Sequence, residues 1–221
     1  MRYIRLSAVL VLLACGDNTT APVVPPAPVA TSISVSPTSV SLEALGQTQE
    51  LTATVKDQNG ATMSGASVSW ATSAASVATV SSAGLVTSVA GGTATVTATS
   101  GAANGTVSVT VTQVAASVAV TPDTLSFASQ GDTTTVSATV EDAGGNEISD
   151  ATVSWTTSDS TIATVSAAGL VTSVADGTAT VTATSGTASD TASVTVLQVA
   201  ASVVLSDTVL SFSTQGDTTQ L

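Results

Sequence analysis

Histidine is absent from the 221 residues, and only three residues are cationic against 15 that are acidic. Without histidine the chain cannot build a Ser-His-Asp or Cys-His catalytic group, or a His-ligated zinc or haem site, from its own residues. Two of the cations, Arg2 and Arg5, lie at the extreme N-terminus, which leaves Lys56 alone in the body. A chain of net charge -12 cannot displace counterions from a phosphate backbone, so nucleic acid and anionic lipid headgroups are poor partners. Cysteine occurs once, at Cys15, and aromatic residues make up only 2% of the chain. No helical periodicity is present, and no apolar run reaches the roughly 20 residues that a membrane-crossing helix needs.

What is present begins with a leader. Arg2 and Arg5 precede an apolar run from Leu6 to Leu13 that ends in Leu12-Leu13-Ala14-Cys15. A basic start, a short apolar stretch and a small residue before the cut describe a secretory signal. Leu12-Leu13-Ala14-Cys15 resembles the lipobox of bacterial lipoproteins. The resemblance implies removal of residues 1–14, lipidation of Cys15 on sulfur and acylation of its new amino terminus. More than one acyl chain is the condition for stable membrane attachment. The expected location is therefore the bacterial cell envelope, at the outer membrane or cell surface or facing the periplasm, with the membrane as a partner through Cys15. Residues 15–29 then turn to Asn, Thr, Ala, Val and Pro, with Pro22, Pro25, Pro26 and Pro28 close together. Such a stretch favours polyproline II at about 3.1 Å per residue, a tether reaching up to roughly 40 Å.

Beyond the tether the chain repeats itself. Trp70 and Trp155 stand 85 residues apart, and the same offset links Pro37 to Pro122, Gly46 to Gly131, Asp57 to Asp142, Gly84 to Gly169 and Gln113 to Gln198. The register gives module one at 30–114, module two at 115–199 and the start of a third copy at 200–221, where Phe212 matches Phe127. Breaking off inside its second strand, that copy leads to the expectation that Leu221 is no natural domain boundary. Within a module the dominant period is two, as in Thr93-Ala94-Thr95-Val96-Thr97-Ala98-Thr99, which reads as half-buried strands. Turn residues punctuate them at Asp57-Gln58-Asn59-Gly60, Ser82-Ala83-Gly84 and Gly91-Gly92. About seven short strands per module predict an all-β chain of tandem two-sheet antiparallel sandwiches. Trp70, Trp155 and Phe127 are the large side chains expected in the cores.

The run Trp70, Ser73, Val77-Ala78-Thr79-Val80, Gly84-Leu85-Val86-Thr87, Val89 and Gly92-Thr93-Ala94-Thr95-Val96-Thr97-Ala98 resembles the group 2 bacterial immunoglobulin-like (Big) domain. Module two repeats it from Trp155 through Gly169-Leu170-Val171-Thr172 to Ala183. The resemblance covers nearly everything after the tether. It implies an immunoglobulin-like fold, with Gly84 and Gly169 among the matched structural positions, and membership of a group found in intimin- and invasin-type surface proteins. It implies no active site, and a shared sandwich does not settle function.

The link Gln113-Val114-Ala115-Ala116 contains neither Gly nor Pro, so a semi-rigid row of modules is expected, and its lack of acids disfavours calcium there. Module one holds three acids and module two nine. Glu141, Asp142 and Glu147 are the calcium candidates, although their spacing departs from the known loop signature and a solvated turn is the simpler reading. Glu141 or Asp142 with Glu147 are also the only close carboxylates for glycoside cleavage, in a turn expected to lie open to water. The rows Thr93-Thr95-Thr97-Thr99 and Thr178-Thr180-Thr182-Thr184 read as one solvent-facing row per module, which is too little for recognition of a flat lattice. The sequence thus predicts no catalytic residue, no enzyme activity and no cofactor. It reads as an anchored surface stalk, adhesion or display module, with any host or envelope protein or polysaccharide ligand unspecified. The alternative is the arm of a larger exported enzyme or carbohydrate-binding receptor whose active domain lies beyond residue 221.

Overall fold

A computed structural model describes residues 26–200 and Ser202. The leader, Cys15, most of the tether and the third-copy segment after Ala200, Ser202 excepted, lie outside the described residues. Among those described, every regular element is a strand, and no helix is long and apolar enough to cross a membrane.

Module one contains β1 (Ala30–Ser36), β2 (Ser39–Leu42), β3 (Thr48–Glu50), β4 (Thr52–Asp57), β5 (Ser69–Thr72), β6 (Ala78–Val80), β7 (Leu85–Ser88), β8 (Gly92–Ser100) and β9 (Ala103–Val111). Module two repeats them as β10 (Ser117–Thr121), β11 (Thr124–Phe127), β12 (Thr133–Thr135), β13 (Ser137–Glu141), β14 (Ser154–Thr157), β15 (Ala163–Val165), β16 (Leu170–Ser173), β17 (Gly177–Ser185) and β18 (Ala188–Val196). The segments reduce to seven runs per module, because β1 and β2 are one run broken at Pro37 and β3 and β4 are one run broken at Leu51. Proline has no N–H to give to a ladder, so pairing stops there and resumes on the other sheet.

One sheet of module one has the order β2-β9-β8-β5, and the other layer is formed by β3-β7-β6 together with β1-β4. The sandwich is not wholly antiparallel as the sequence suggested. β2 runs parallel to β9, and β11 runs parallel to β18, because the strand that begins beside β4 or β13 crosses to the opposite sheet without reversing direction.

Alternation decides which faces meet. Leu42, Val96, Ala98, Val107, Val109 and Val111 from the first sheet pack on Val35, Leu51, Ala78 and Val86 from the second. A fully buried valine gains about 1.5–3 kcal/mol from leaving water, much of it offset by lost chain entropy. Trp70 and Trp155 do not fill the core centres. They are half-buried on the edge strands β5 and β14, packing against cores made mostly of valine and alanine. Phe127 is 4% exposed and does lie within the module-two core. Gly84 has φ +88°, and a Cβ there would stand 2.7 Å from the Leu51 carbonyl and 3.1 Å from the Trp70 ring. Gly169, at φ +77°, occupies the same tight corner beside Val136 and Trp155.

The outward face of each four-stranded sheet also differs from expectation. The threonine row on β17 is flanked by further rows, since register places Thr195, Ser193, Thr191 and Ser189 beside Thr178, Thr180, Thr182 and Thr184. Ser126 and Thr124 on β11 and Thr156 and Ser154 on β14 extend the rows across all four strands. Single-strand reading missed this because it cannot see register. The right-handed twist of about 20–25° per strand turns successive rows away from a common plane, so the array is a solvated β-surface rather than a flat lattice.

Candidate functional site at the module junction

The link between the modules is bonded on both sides. Thr112 N–H donates to Leu42 O at 2.9 Å and Val114 N–H to Glu43 O at 2.9 Å, so the chain leaving β9 stays laced to the loop after β2. Two residues later Ala116 N–H donates to Glu141 O at 2.8 Å, at the end of β13. The link therefore has little freedom to swing.

The module-one side is the loop Glu43–Gln47. Its anchor is Ser88, only 3% exposed, whose Oγ donates to Ala44 O at 2.6 Å. Gly46 N–H donates to Ser88 O at 3.1 Å and Ser88 N–H to Gln47 O at 3.0 Å. The Gln47 side-chain oxygen accepts Glu43 N–H at 2.7 Å. These bonds leave the N–H and carbonyl of Leu45 facing module two.

The module-two side is the turn Asp142–Glu147. Gly145, at φ +75°, lets the chain reverse so that Gly145 N–H reaches Asp142 O at 3.0 Å and Asp142 N–H reaches Asn146 O at 2.9 Å. The Asp142 carboxylate organises both halves. Its Oδ1 accepts Gly144 N–H at 2.9 Å, Asn146 N–H at 3.0 Å and Asn146 Nδ2 at 3.1 Å. Its Oδ2 accepts Leu45 N–H and Gln113 Nε2, each at 2.9 Å. Asn146 Nδ2 also reaches Leu45 O at 3.2 Å. A Cβ on Gly144 would lie 2.8 Å from that carbonyl, so only glycine allows this approach.

Burial alone would raise the Asp142 pKa. The N–H groups of Leu45 and Asn146 and the side chains of Gln113 and Asn146 outweigh it and hold the carboxyl well below the usual carboxylate range. Asp142 is 3% exposed, so the expectation of an open, solvated turn fails at this residue. Its oxygens are engaged by protein donors rather than presented to a cation. Among the described residues no cluster of three or more His, Cys, Asp or Glu could hold a metal ion. Glu147 is exposed and Glu141 half-exposed, and the two face each other through a backbone bridge. As a glycosidase pair, Asp142 and Glu147 lack a free carboxylate on the Asp142 side. Beside the clamp, a shallow cleft of about 640 Å³ is lined by Glu43–Gln47 and by Ala143, Gly144 and Asn146. Among those side chains Glu43 alone is ionisable.

Asp190 plays a smaller tying role, since its Oδ2 accepts Val120 N–H at 2.8 Å and links β18 to β10; that bond holds its pKa low. The link itself carries no acid, as the sequence shows, but the fold brings Asp142 to it from 29 positions away. Sequence reading therefore missed Leu45, Gln113 and Asp142 as a unit. The available signal was that the 85-residue offset keeps both Gln113 with Gln198 and Asp57 with Asp142.

No curated protein matches this sequence. Among solved structures, the S-layer protein rSbsC(31-844) is 26% identical with TM-score 0.38, over 77% of this chain and 28% of that chain. The Escherichia coli adhesin FdeC is 21% identical with TM-score 0.41, over 74% of this chain and 63% of that one. The chain thus spans less than two thirds of either protein, and nothing about role is carried over from them. The model of the bacterial Ig-like domain (group 2) matches residues 29–111 and again 114–196, most of the chain in two tandem units. The chain therefore belongs to the group 2 bacterial Ig-like domain family.

Proposed function

We propose that this chain is a non-catalytic, exported stalk of the bacterial cell envelope, held to a membrane by lipid on Cys15 and carrying its tandem modules outward as a stiff display or adhesion arm. The observation that carries the reading is the Asp142 clamp. A flexible linker would need no buried carboxylate joining Leu45 of one module to Gln113 of the link. Membership of the group 2 family and the secretory and lipobox pattern before the tether support the envelope location. In this reading the modules act by reach and orientation, and any ligand belongs to what the stalk presents.

Growth of cells expressing the chain with a labelled fatty acid tests the anchor. The expected result is label on the wild-type chain and none on Cys15→Ser. An unlabelled wild-type chain that is released into the medium overturns the anchored reading.

A further inference from the structure

The far end of module two repeats the module-one half of the clamp. Val199 N–H donates to Ala128 O at 3.1 Å, as Val114 N–H does to Glu43 O. Ser173, 2% exposed, donates its Oγ to Ser129 O at 2.7 Å, as Ser88 does to Ala44 O. Gly131 N–H bonds Ser173 O at 3.0 Å, so the loop that holds Gln130 is folded as the loop that holds Leu45 is. Gln198 stands where Gln113 stands. The differences lie in what covers this end. Among the described residues no acceptor takes the Gln130 N–H, Ser129 is exposed where Ala44 is buried, and Leu197 and Val199 are 66% and 68% exposed against 47% for Val114.

The acceptor half is also built before it has a partner. In module one, Asp57 Oδ1 accepts Asn59 N–H at 2.8 Å and Ala61 N–H at 2.9 Å, the same turn geometry as Asp142, while among the described residues no donor reaches its Oδ2. The Oδ1 bonds thus fold this turn without any contact to a second module.

We propose that the end face of module two, formed by the Gln130 N–H, the Gln198 side chain and the exposed Leu197 and Val199, is a preformed docking surface for a third Ig-like module, whose turn aspartate closes on it as Asp142 closes on Leu45. The inference rests on the junction reading above. The occupant follows from the sequence, because Ala200-Ala201-Ser202-Val203 matches Ala115-Ala116-Ser117-Val118 and Leu210-Ser211-Phe212 matches Leu125-Ser126-Phe127. Preformed donors lower the ordering cost of docking.

The test compares amide hydrogen exchange in the 221-residue chain with that in the same chain continued after Leu221 by residues 137–196 of its own sequence, which completes a third module in register. A second extension, by residues 52–111, completes it with the module-one turn. The expected result is that Gln130 N–H exchange slows by about tenfold or more on extension, and that Gln198→Ala reverses part of the slowing. Protected strand amides in the third module with unchanged Gln130 exchange, in either extension that folds, overturn the docking inference alone. Rapid exchange at Leu45 in the 221-residue chain overturns the junction reading and this inference with it.

Discussion

The Oδ2 oxygen of Asp142 accepts the backbone N–H of Leu45 at 2.9 Å, joining residues 97 positions apart in different modules. The same oxygen takes the side-chain amide of Gln113, so one carboxylate fixes the turn, the link and the preceding module together. Its removal affects all three.

Asp142→Ala strands the N–H groups of Leu45, Gly144 and Asn146 and the amide of Gln113. Stranded buried donors cost about 1–3 kcal/mol each when water cannot replace the acceptor, and partial rehydration reduces the sum, so a loss of roughly 2–4 kcal/mol is expected for module two. Urea unfolding followed through Trp155 in a Trp70→Phe background measures it. A loss below about 0.5 kcal/mol, the scale of an ordinary surface change, contradicts the assigned role.

The sign of the pH dependence follows from the same bonds. The Asp142 pKa in the folded protein lies below its ordinary value of 3.8, so the stability it confers is fully present above about pH 4. That contribution is lost as pH falls from there through the folded value. Asp159 and Asp190 are lowered as well, by bonds from Thr161 and Val120, and contribute in the same direction. Stability between pH 5 and pH 2, measured by denaturant titration, is expected to fall less steeply in Asp142→Asn than in the wild type, with a residual slope from the other two.

Ser88 and Ser173 are equivalent anchors with unequal consequences. Each serine-to-alanine change removes a buried side-chain bond to a loop carbonyl and is expected to cost about 1 kcal/mol in its own module. Only Ser88→Ala also loosens the loop that presents Leu45, so only that variant is expected to speed exchange of the Leu45 amide.

Two glycines separate backbone strain from crowding. Gly101 has φ +58° with nothing within 4 Å of an added Cβ, whereas Gly84 combines φ +88° with the Leu51 carbonyl and the Trp70 ring. Gly101→Ala is expected to cost about 1–2 kcal/mol for the left-handed conformation alone, and Gly84→Ala clearly more, by thermal or urea unfolding.

Much of this fold can be read along the chain. The period of two assigns the strands, and the 85-residue offset sets the modules before any contact is known. Pairing is less legible. The parallel partnership of β2 with β9 and the hydroxyl rows across β11, β18, β17 and β14 depend on register between distant strands, which no single strand encodes. Trp70 and Trp155 mislead because size suggests a central place, yet both lie on edge strands where an indole has room beside a glycine. The junction was hidden for a related reason. Leu45 contributes its backbone, which leaves no mark in side-chain composition, and Asp142 reads as a polar turn residue until the preceding module is placed on it.

The central claim is that the clamp makes the two modules one body, and residual dipolar couplings in a weakly aligning medium test it directly. If it holds, the amides of β1–β9 and β10–β18 fit a single alignment tensor in the wild type and separate into two in Asp142→Ala. Two tensors of different magnitude in the wild type, or an unchanged single tensor in Asp142→Ala, would contradict it.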